Sequence, residues 1–486
     1  MGYPARPMAL RLLLVLALGC TCRCGEPAGG GEVLHLAHTF SPHETEELNR
    51  LLAGRTPAVE SSLLPFARGQ TILGRVLRAG RDCPDLVRID ATWVPGLAGA
   101  DLLAEVPDEV WRARAWLPEA AELGAYRGAR YGLPQSQGVL ALVHRRGEVE
   151  RAGAPWPPAT LGDLEAAAHR LTGAGRHGLG VRVDGYWFIA FLRASGGDLI
   201  DPVSGAIGID QPEAVEALRR FAALFGEAGV APPPGAPGDA ARDLVARFRE
   251  GRLAVVMDGP WALWSLGGGA IDGLSVTPFP PGPDGRPAAP RGGQVYAVPR
   301  CAPRPEAAWR LALDLTAEPV QTGWARRFGV VPTTEEGLAG GGRVVTELRR
   351  ALRAARPLPR HPVSAELFDD LTPAIEAVVL GDATPEEALA GVGRAWRRLL
   401  ARHRAGASDE SPRWRPGNAS ARPGEDPAAD AGAHDPANAT ADAAANTDKD
   451  TDTNKDKDTS TGTGTAAGAG TAAGTGTAAP PSEPAP

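Results

Sequence analysis

The chain has 486 residues and a net charge of −7, and 43% of its residues are hydrophobic. This length allows two or three domains, and the negative charge argues against a nucleic-acid-binding protein because no basic excess remains to neutralise phosphates. Lysine occurs only at Lys449, Lys455 and Lys457, so we interpret the many arginines as a compositional bias rather than a phosphate-binding surface.

The N-terminus has the pattern of a bacterial secretion signal. Arg6 and Arg11 supply positive charge, and residues 12–18 form an apolar core that is too short to span a membrane permanently. Gly19 and Cys20 follow at once, and a small residue before cysteine at this point resembles a lipobox. The sequence therefore predicts a lipoprotein that leaves the cytoplasm.

Cleavage and lipid attachment would divide this region into two parts. We expect residues 1–19 to be removed as a signal peptide and Cys20 to carry the lipid, with Cys22 and Cys24 as alternatives. Residues 20–31 would then form a flexible linker, and the lipid would anchor the protein to a membrane on the periplasmic side. No later apolar run reaches the roughly 20 residues of a transmembrane helix.

The remaining cysteines are Cys83 and Cys301. Outside the cytoplasm two such cysteines can pair, but the sequence does not show whether they are close, so a disulfide is left open. His35, His38 and His43 cluster near the first predicted loop, and we interpret them as surface residues rather than metal ligands. The sequence predicts neither a metal site nor a cofactor.

The first part of the body alternates strands and helices. Strands are predicted at residues 33–36, 59–64 and 85–89, with helices beginning near Ser41 and Thr71. This alternation predicts a mostly parallel α/β sheet, in which ligands bind beyond the carboxyl ends of the strands.

A second series of elements follows a polar segment that contains Gln137. The apolar run at residues 139–143 predicts a strand, and Gln137 lies where the chain would cross between two lobes. Thr160 begins a capping-box-like helix at residues 161–171, and Asp210 is predicted to cap a later helix.

Residues 248–264 carry the most informative pattern in the chain. A helix ends at Gly251, and residues 253–257 form an uninterrupted apolar run typical of a strand buried on both faces. After the break Asp-Gly-Pro comes Trp261, at the carboxyl end of this strand, where a ligand would bind in an open α/β sheet. Packing within its own domain is the alternative role for this tryptophan.

After Trp264, the glycines and prolines up to Pro290 predict a long surface loop around one short strand. The rest of the body is predicted to contain one further strand and three helices. The strand is at residues 292–298, and the helices are at residues 306–316, 373–380 and 385–400. In residues 405–486 Asp, Thr, Ala, Gly and Pro dominate. Such a segment cannot bury enough apolar surface to offset its ordering entropy, so we predict a disordered tail.

Several of these landmarks occur in a fixed order. They are YGLP at 131–134, the aromatic cluster at Tyr186 with Gly196-Gly197 after it, FREGRLAVVMDGPW at 248–261, the stretch 318–332 ending in GVVP, and the closing PEEAL helix. In this order and spacing the chain resembles the extracellular solute-binding proteins of ABC importers, in the group similar to maltose-binding protein. The resemblance covers roughly residues 32–404.

The resemblance implies a two-lobed α/β fold of the type II periplasmic-binding-protein class, with each lobe a mostly parallel sheet flanked by helices. It assigns residues 32–137 and 292–337 to lobe 1, and residues 138–291 and 338–404 to lobe 2. Proteins of this family trap a polar solute between lobes that close about a hinge.

The same resemblance implies a set of ligand-binding residues. Trp261 matches the family's cleft tryptophan, and Tyr186 or Trp187 falls at a second aromatic platform. The remaining candidates match strand-end loops, crossing segments and a further stacking position: Thr39, Asp90, Trp93, Gln137, Gly293 and Phe368. Phe368 stands where tryptophan is usual, and Gln137 stands where maltose-binding protein has an acid, so the ligand is expected to differ from maltose.

Sugars suit such a set of residues because they present apolar C–H faces ringed by hydroxyls. We therefore expect a monomeric protein without enzymatic activity that captures a di- or oligosaccharide-like sugar and delivers it to an ABC permease in the inner membrane. One alternative is a lipid-anchored carbohydrate-active enzyme that uses Asp90 and Asp258 as a carboxylate pair. Another is a solute sensor that reports to a membrane receptor.

Overall fold

The computed structural model describes residues 33–201, 205–226, 229–235 and 240–405. The predicted signal peptide, the lipid-bearing Cys20, the linker and the tail from residue 406 lie outside these ranges, so the statements about them stay predictions.

Twelve strands lie in the described ranges: β1 Val33–His38, β2 Ala58–Leu63, β3 Leu86–Asp90, β4 Ala125–Tyr126, β5 Ala129–Arg130, β6 Leu133–Val139, β7 Ala141–Arg145, β8 His177–Gly180, β9 Leu253–Asp258, β10 Leu274–Pro278, β11 Ala289–Ala297 and β12 Ala355–Pro357.

Seventeen α-helices and one 3-10 turn, Pro260–Ala262, accompany these strands in the same ranges. The helices are α1 Pro42–Leu52, α2 Phe66–Ala79, α3 Val94–Gly99, α4 Asp108–Arg112, α5 Pro118–Ala121, α6 Glu148–Arg151, α7 Leu161–Leu171, α8 Gly185–Ala194, α9 Pro212–Ala223, α10 Ala240–Arg249, α11 Leu263–Leu266, α12 Pro305–Leu315, α13 Glu318–Phe328, α14 Glu335–Ala339, α15 Gly342–Arg353, α16 Leu367–Val379 and α17 Pro385–Ala405.

The first sheet contains six strands in the order β12-β11-β3-β1-β2, with β6 paired to β11. β1 is parallel to β2 and to β3, whereas β11 runs antiparallel to β3 and β6. The carboxyl ends of β1 and β3 therefore meet at one edge, and the register of β11 places Gln294 opposite Asp90.

The second sheet contains four strands in the order β10-β7-β9-β8. β8 and β9 are parallel, so their carboxyl ends also share an edge, but β7 is antiparallel to β9 and to β10. This sheet is therefore mixed, whereas the sequence predicts a mostly parallel one. The reason lies in the crossing between the sheets, where Ala141 follows the end of β6 almost directly. β7 therefore starts opposite Asp258 at the carboxyl end of β9 and runs in the opposite direction to β9.

The two sheets pack against different hydrophobic clusters, although the largest cluster also takes in Val139 and Ala289 at the ends of first-sheet strands. A large cluster surrounds the second sheet and includes Phe188, Phe221 and Trp396, all with no more than 2% of their surface exposed. Two smaller clusters pack on the first sheet, one around Trp324 and the other around Leu97. Separate cores are what two bodies need in order to move as units about a hinge. The residue-level lobe boundaries stay a prediction.

Local sequence signals place several helix ends where they are predicted. Thr160 is the N-cap of α7, and its hydroxyl and the Asp163 carboxylate form a reciprocal capping box. Gly251 follows α10 with a φ of 78°, the left-handed conformation that favours glycine after a helix.

Two predictions about elements are wrong. The apolar run at residues 139–143 is not one strand, because β6 ends at Val139 in the first sheet and β7 begins at Ala141 in the second. Asp210 does not cap α9, whose N-cap is Gln211 without a side-chain hydrogen bond. Asp210 instead forms an ion pair with Arg397 on α17. Its carboxylate is therefore engaged in a tertiary contact and does not cap the start of α9.

A disulfide joins Cys83 and Cys301, whose Cα atoms are 6.0 Å apart. Cys83 precedes β3 and Cys301 follows β11, and these strands are antiparallel neighbours with Val87 opposite Ala297. The strand register therefore brings together two cysteines that are 218 residues apart.

No helix in the described part of the chain has both the length and the apolar character that crossing a bilayer requires. The longest of these helices, α17, has 21 residues and several arginines among them.

Candidate functional site

Polar side chains form a connected network at the carboxyl edge of the first sheet. Asp90 ends β3, and its carboxylate accepts hydrogen bonds from the Gln294 amide at 2.7 Å and the Thr92 hydroxyl at 2.6 Å. Thr39, directly after β1, accepts a hydrogen bond from the Arg88 guanidinium at 3.0 Å and lies 3.4 Å from the Gln294 side-chain oxygen. The network fixes the positions of Thr39 and Asp90 relative to each other.

Arg88 is the buried, positively charged member of this network. Its guanidinium donates to the side-chain oxygen of Gln135 at 3.0 and 3.1 Å and lies over the Phe40 ring at 4.0 Å from the ring centre. Burial lowers the pKa of this guanidinium, an effect that nearby Glu44 and Asp90 oppose. A buried positive charge next to the site favours binding of anionic or hydroxyl-bearing groups of a ligand.

The carboxylate of Asp90 is held in a low-dielectric environment. Burial raises its pKa, and the hydrogen bonds from Thr92 and Gln294 act in the opposite direction. A partly desolvated carboxylate with fixed neighbours is a strong acceptor for a ligand hydroxyl.

The carboxyl edge of the second sheet carries the complementary half of the site. β9 ends at Asp258 and is followed by Trp261, while β8 is followed by Arg182, Asp184 and Tyr186. Asp184 is the N-cap of α8 and accepts a hydrogen bond from the Tyr186 amide at 2.8 Å. Because β8 and β9 are parallel, both sets of side chains reach the same edge.

Asp258 is buried beside the tryptophan that follows it. Burial raises the pKa of this carboxyl to about 6, while Arg182, the Gly259 amide and the Trp261 indole act to lower it. The Gly259 amide donates to the carboxylate at 2.8 Å. The carboxylate thus both orients the turn after β9 and interacts with the indole.

Trp261 is the most exposed aromatic residue at this edge, with 42% of its surface exposed. One part of its ring lies against Gly259, where an added Cβ would be only 2.2 Å from the indole, and against Gly138 of β6, where it would be 3.3 Å away. The ring therefore packs against glycine backbone atoms, and a large part of its apolar face stays exposed.

Two more aromatic rings complete a cluster with Trp261. The Tyr186 ring centre lies 6.3 Å from that of Trp261 and 6.4 Å from that of Phe368 at the start of α16. Both Tyr186 and Phe368 are half-buried. Offset or tilted rings at these separations form a stable apolar surface.

The edges of the two sheets meet at Trp261, which follows β9 of the second sheet and lies against Gly138 on β6 of the first sheet. Burial raises the pKa of the neighbouring Tyr186 phenol above the ordinary value, and Asp90, Asp184 and Asp258 raise it further. Asp90 belongs to the first sheet and Asp258 to the second. The site therefore combines aromatic faces from one sheet with carboxylates from both.

Several of the candidates from the sequence have other roles in the structure. Trp93 is 4% exposed and packs on Gly69 and Phe66, so it belongs to a core cluster of the first sheet. Gln137 is 3% exposed, and its amide donates to the Pro332 carbonyl at 2.7 Å. The structure does not bring these two side chains to the aromatic cluster.

Trp187 and Gly293 are buried, and they stabilise the elements on which the site residues lie. The Trp187 indole is 5% exposed and donates to the Met257 carbonyl at 2.8 Å, which joins α8 to β9. A Cβ at Gly293 would be 2.2 Å from the Ser136 carbonyl oxygen, so the close backbone approach that the sequence predicts is made to β6. Of the two adjacent aromatic candidates, Tyr186 is therefore the one on the accessible side.

Sequence reasoning missed Arg88, Gln294, Asp184 and Arg182. Arg88 could have been noticed, because it is a charged residue inside the otherwise apolar strand LVRI. Asp184 precedes a helix and matches the N-cap pattern. Gln294 had no local signal, since its role depends on the register of β11 with β3.

The interpretation of the three histidines near β1 as surface residues is wrong for one of them. His38 is buried by strand packing, and burial lowers its pKa to about 4, whereas His35 and His43 are exposed. Among the described residues there is no group of three or more His, Cys, Asp or Glu side chains that could hold a metal ion.

Comparison with known proteins finds similar chains over most of this length. A maltotriose-binding protein of Pyrococcus abyssi is 24% identical over 367 residues, which cover 72% of this chain and 78% of the relative. A probable ABC transporter-binding protein of Deinococcus radiodurans is 28% identical over 51% of this chain and 62% of its own length.

Solved structures show the same architecture. The GacH receptor of Streptomyces glaucescens, solved unliganded and with acarbose, is 25% identical with a TM-score of 0.68, over 76% of this chain and 98% of the receptor. Maltose-bound MalE3 of T. maritima has a TM-score of 0.67 at 24% identity, over 76% of this chain and all of that protein. The predicted two-lobed α/β fold class is confirmed.

The family model for bacterial extracellular solute-binding proteins matches residues 66–318, more than half of the chain. This segment includes Asp90 at the edge of the first sheet as well as Tyr186 and Trp261 at the edge of the second. With the two sheets, their separate cores and the facing strand ends, this match assigns the chain to the family of bacterial extracellular solute-binding proteins.

Proposed function

We propose that this protein is the solute-binding component of an ABC import system and that its ligand is a di- or oligosaccharide-like sugar. The ligand binds between the two lobes, and hinge closure encloses it. The lobes are those of the sequence assignment, residues 32–137 with 292–337 and residues 138–291 with 338–404, apart from β12, which pairs with β11 in the first sheet.

The observation that carries this proposal is the open face of Trp261, which lies beside the Asp258 carboxylate of the second sheet and against Gly138 of the first sheet. Sugar rings have an apolar C–H face that packs on an indole, and their hydroxyls donate to carboxylates. Asp258 lies beside the indole, and Asp90 at the carboxyl edge of the first sheet contributes to raising the pKa of Tyr186 by its charge. A few such contacts are enough for micromolar affinity, which corresponds to about −8 kcal/mol.

Related proteins support the ligand class. A relative is named a maltotriose-binding protein, and a structural neighbour at 25% identity was solved with acarbose, both of which have sugar rings. We assign Thr39, Asp90, Tyr186, Trp261 and Phe368 to direct ligand contact.

The remaining candidates from the sequence have supporting roles in this proposal. Trp187 orients α8, Gly293 allows β11 to approach β6, and Gln137 joins the crossing segments. Trp93 stabilises the loop after Asp90 from within the core. Changes at these positions should affect stability more than they affect ligand contact.

Delivery to a permease follows from the family and from the predicted lipid anchor at Cys20. A lipid on the N-terminus would hold the protein on the periplasmic side near an inner-membrane permease. The proposal requires no cofactor and no chemical change of the ligand.

The decisive test is a tryptophan-fluorescence titration of the mature protein with mono-, di- and oligosaccharides, supported by thermal-shift measurements. We expect saturable binding of at least one sugar with micromolar affinity. Saturable binding of a peptide, polyamine or metal with no response to any sugar would contradict the proposed ligand class.

A product assay separates binding from catalysis. The proposal predicts that a bound oligosaccharide is recovered unchanged after prolonged incubation. Release of shorter sugars that depends on Asp90 and Asp258 would instead support the carbohydrate-active enzyme. Loss of sugar uptake on gene deletion would distinguish transport from sensing.

A further inference from the structure

A second cavity lies on the outer edge of the second sheet, away from the aromatic cluster. Its volume is 660 Å³, and it lies between edge strand β10, helix α15 and the loop that contains Trp156. This size falls within the roughly 300–1,000 Å³ of ordinary small-molecule sites. None of Asp90, Tyr186, Trp261 or Phe368 lines it.

The cavity does not serve to add a peptide strand to the sheet. The outward-facing Val276 amide of β10 already donates to the Glu347 carboxylate at 2.8 Å, and the Leu274 carbonyl accepts a hydrogen bond from Arg343. Pro278 at the end of β10 has no amide hydrogen to offer. Because α15 occupies the strand edge in this way, the cavity is suited to a small molecule held by side chains.

A fixed indole forms one wall of the cavity. The Trp156 ring nitrogen donates to the Thr277 hydroxyl at 2.9 Å, and the His144 ring packs on the indole edge-to-face at 5.1 Å between ring centres. The ring is only partly buried. Pro158 and Phe279 add further apolar surface to the same wall. An aromatic face held in one orientation can stack a ring of a ligand at low entropic cost.

The charges at the cavity balance when one neighbouring arginine is included. Glu150, Glu347 and Arg350 line the cavity, and Arg343, which is paired with Glu347, supplies the second positive charge. Burial lowers the pKa of His144, so its imidazole is neutral near pH 7 even though Glu150 and Glu347 oppose this shift. The site thus offers carboxylate acceptors and hydroxyl groups without a net charge that would select an ion.

We propose that this cavity is a second carbohydrate site, which binds one or two neutral sugar rings against Trp156 with the hydroxyls accepted by Glu150 and Glu347. It lies within one predicted lobe, so its occupation does not require hinge closure. It would allow the protein to hold a polysaccharide or a second sugar while the cleft is empty or filled.

The test uses the mature protein with the cleft weakened by Trp261→Ala, so that the second site can be observed. Because the weakened cleft still binds sugar, saturation-transfer NMR with glucose and with maltose is continued beyond its saturation. A second saturable phase should then appear in the millimolar range, which corresponds to about −4 kcal/mol. Adding Trp156→Ala should weaken these signals about tenfold, and Glu150→Gln should weaken them by a smaller factor. Trp111→Ala, at a partly buried tryptophan elsewhere in the fold, is the matched control and should change affinity by less than twofold.

Three results would overturn the inference. They are the absence of a millimolar sugar-binding phase in the Trp261→Ala protein, an equal millimolar phase with and without Trp156→Ala and Glu150→Gln, and Trp156-dependent binding of tetramethylammonium but not of sugars. Glu150 is exposed, so its substitution decides the question if Trp156→Ala does not fold.

This inference stands apart from the proposed function. If the cleft of the unaltered protein binds no sugar, the proposed ligand class fails while a Trp156-dependent sugar signal still supports the second site. If the cleft binds sugar and no Trp156-dependent signal is found, only the second site fails.

Discussion

Adjacent aromatic residues have opposite roles at this site. Trp187 donates its indole hydrogen to Met257 and is 5% exposed, whereas its neighbour Tyr186 lies in the cluster with Trp261. Trp261 keeps 42% of its surface open because glycines at positions 138 and 259 support only one part of its ring. The exposure of the Trp261 face therefore depends on its glycine neighbours as much as on the tryptophan itself.

Trp261→Ala should weaken sugar binding by roughly tenfold or more without unfolding the protein. The reason is that the exposed face is lost while the buried neighbours keep their contacts. Fluorescence or calorimetric titration measures the affinity, and thermal unfolding checks the fold. Trp111→Ala is the control, and an unchanged affinity in Trp261→Ala would remove this residue from the site.

Asp258 should make stability depend on pH. Its carboxyl has a pKa of about 6 in the folded protein against 3.8 for the ordinary group, so folding favours the protonated form. The stabilisation is complete below pH 3.8 and is lost as the pH rises through 6. Relative to Asp258→Asn, the unaltered protein should lose on the order of 3 kcal/mol of unfolding free energy across this window.

Chemical unfolding at a series of pH values checks the prediction for Asp258. The difference between the two proteins should grow between pH 4 and 7 and then remain constant. Parallel stability curves would show that the buried carboxyl has an ordinary pKa.

At the scale of elements, both halves of the site lie at the carboxyl ends of parallel strands. β1 and β3 present Thr39 and Asp90, and β8 and β9 present Tyr186 and Trp261. The turn after β9 is special because Gly259 has no side chain where the indole lies. Its φ of −114° is accessible to any residue, so its glycine is required by space rather than by backbone conformation.

Gly259→Ala should therefore displace the Trp261 ring and weaken sugar binding several-fold, because the new Cβ would be 2.2 Å from the indole. Gly292→Ala is the matched control, since an added Cβ there has no neighbour within 4 Å. Titration of both variants measures the effect. Equal affinities would mean that the ring adjusts without loss of ligand contact.

The disulfide lies near the amino end of β3, whereas Asp90 lies at the carboxyl end of the same strand. Replacing both Cys83 and Cys301 by serine should lower the free energy of unfolding by about 2–5 kcal/mol, since the unfolded chain would regain the freedom of a long loop. Ligand affinity should change by less than about twofold, because Cys83 lies before the amino end of β3. Denaturant unfolding and titration measure the two quantities, and a stability equal to that of the unaltered protein would contradict the prediction.

At the scale of the whole molecule, the separate cores and the facing strand ends support a hinge mechanism. The crossing segments are held together by Gln137, whose amide donates to Pro332, and by the pairing of β6 with β11. In the proposed hinge mechanism these contacts keep the connection in place while each core moves as a unit. A ligand that contacts both sheets favours closure because only the closed state offers it all of its partners.

Saturating sugar should reduce the radius of gyration measured by small-angle X-ray scattering. Trp261→Ala at the same sugar concentration should show a smaller decrease, because fewer molecules are closed. A ligand-saturated protein with an unchanged radius of gyration would show that binding proceeds without closure.

The sequence by itself determined the features that depend on neighbouring residues. These are the α/β alternation, the capping box at Thr160, the left-handed Gly251 and the placement of Trp261 after a buried strand. Each follows from a pattern within a few residues, because helix ends and strand periodicity are local properties of the chain.

Only the tertiary structure decided which of these residues meet. The Asp90–Gln294 bond, the burial of Trp93 and the contact of Gln137 with Pro332 join positions far apart in the chain. The antiparallel direction of β7 follows in the same way from the crossing between sheets. Strand register and side-chain packing between distant segments set these contacts, and no local pattern specifies either of them.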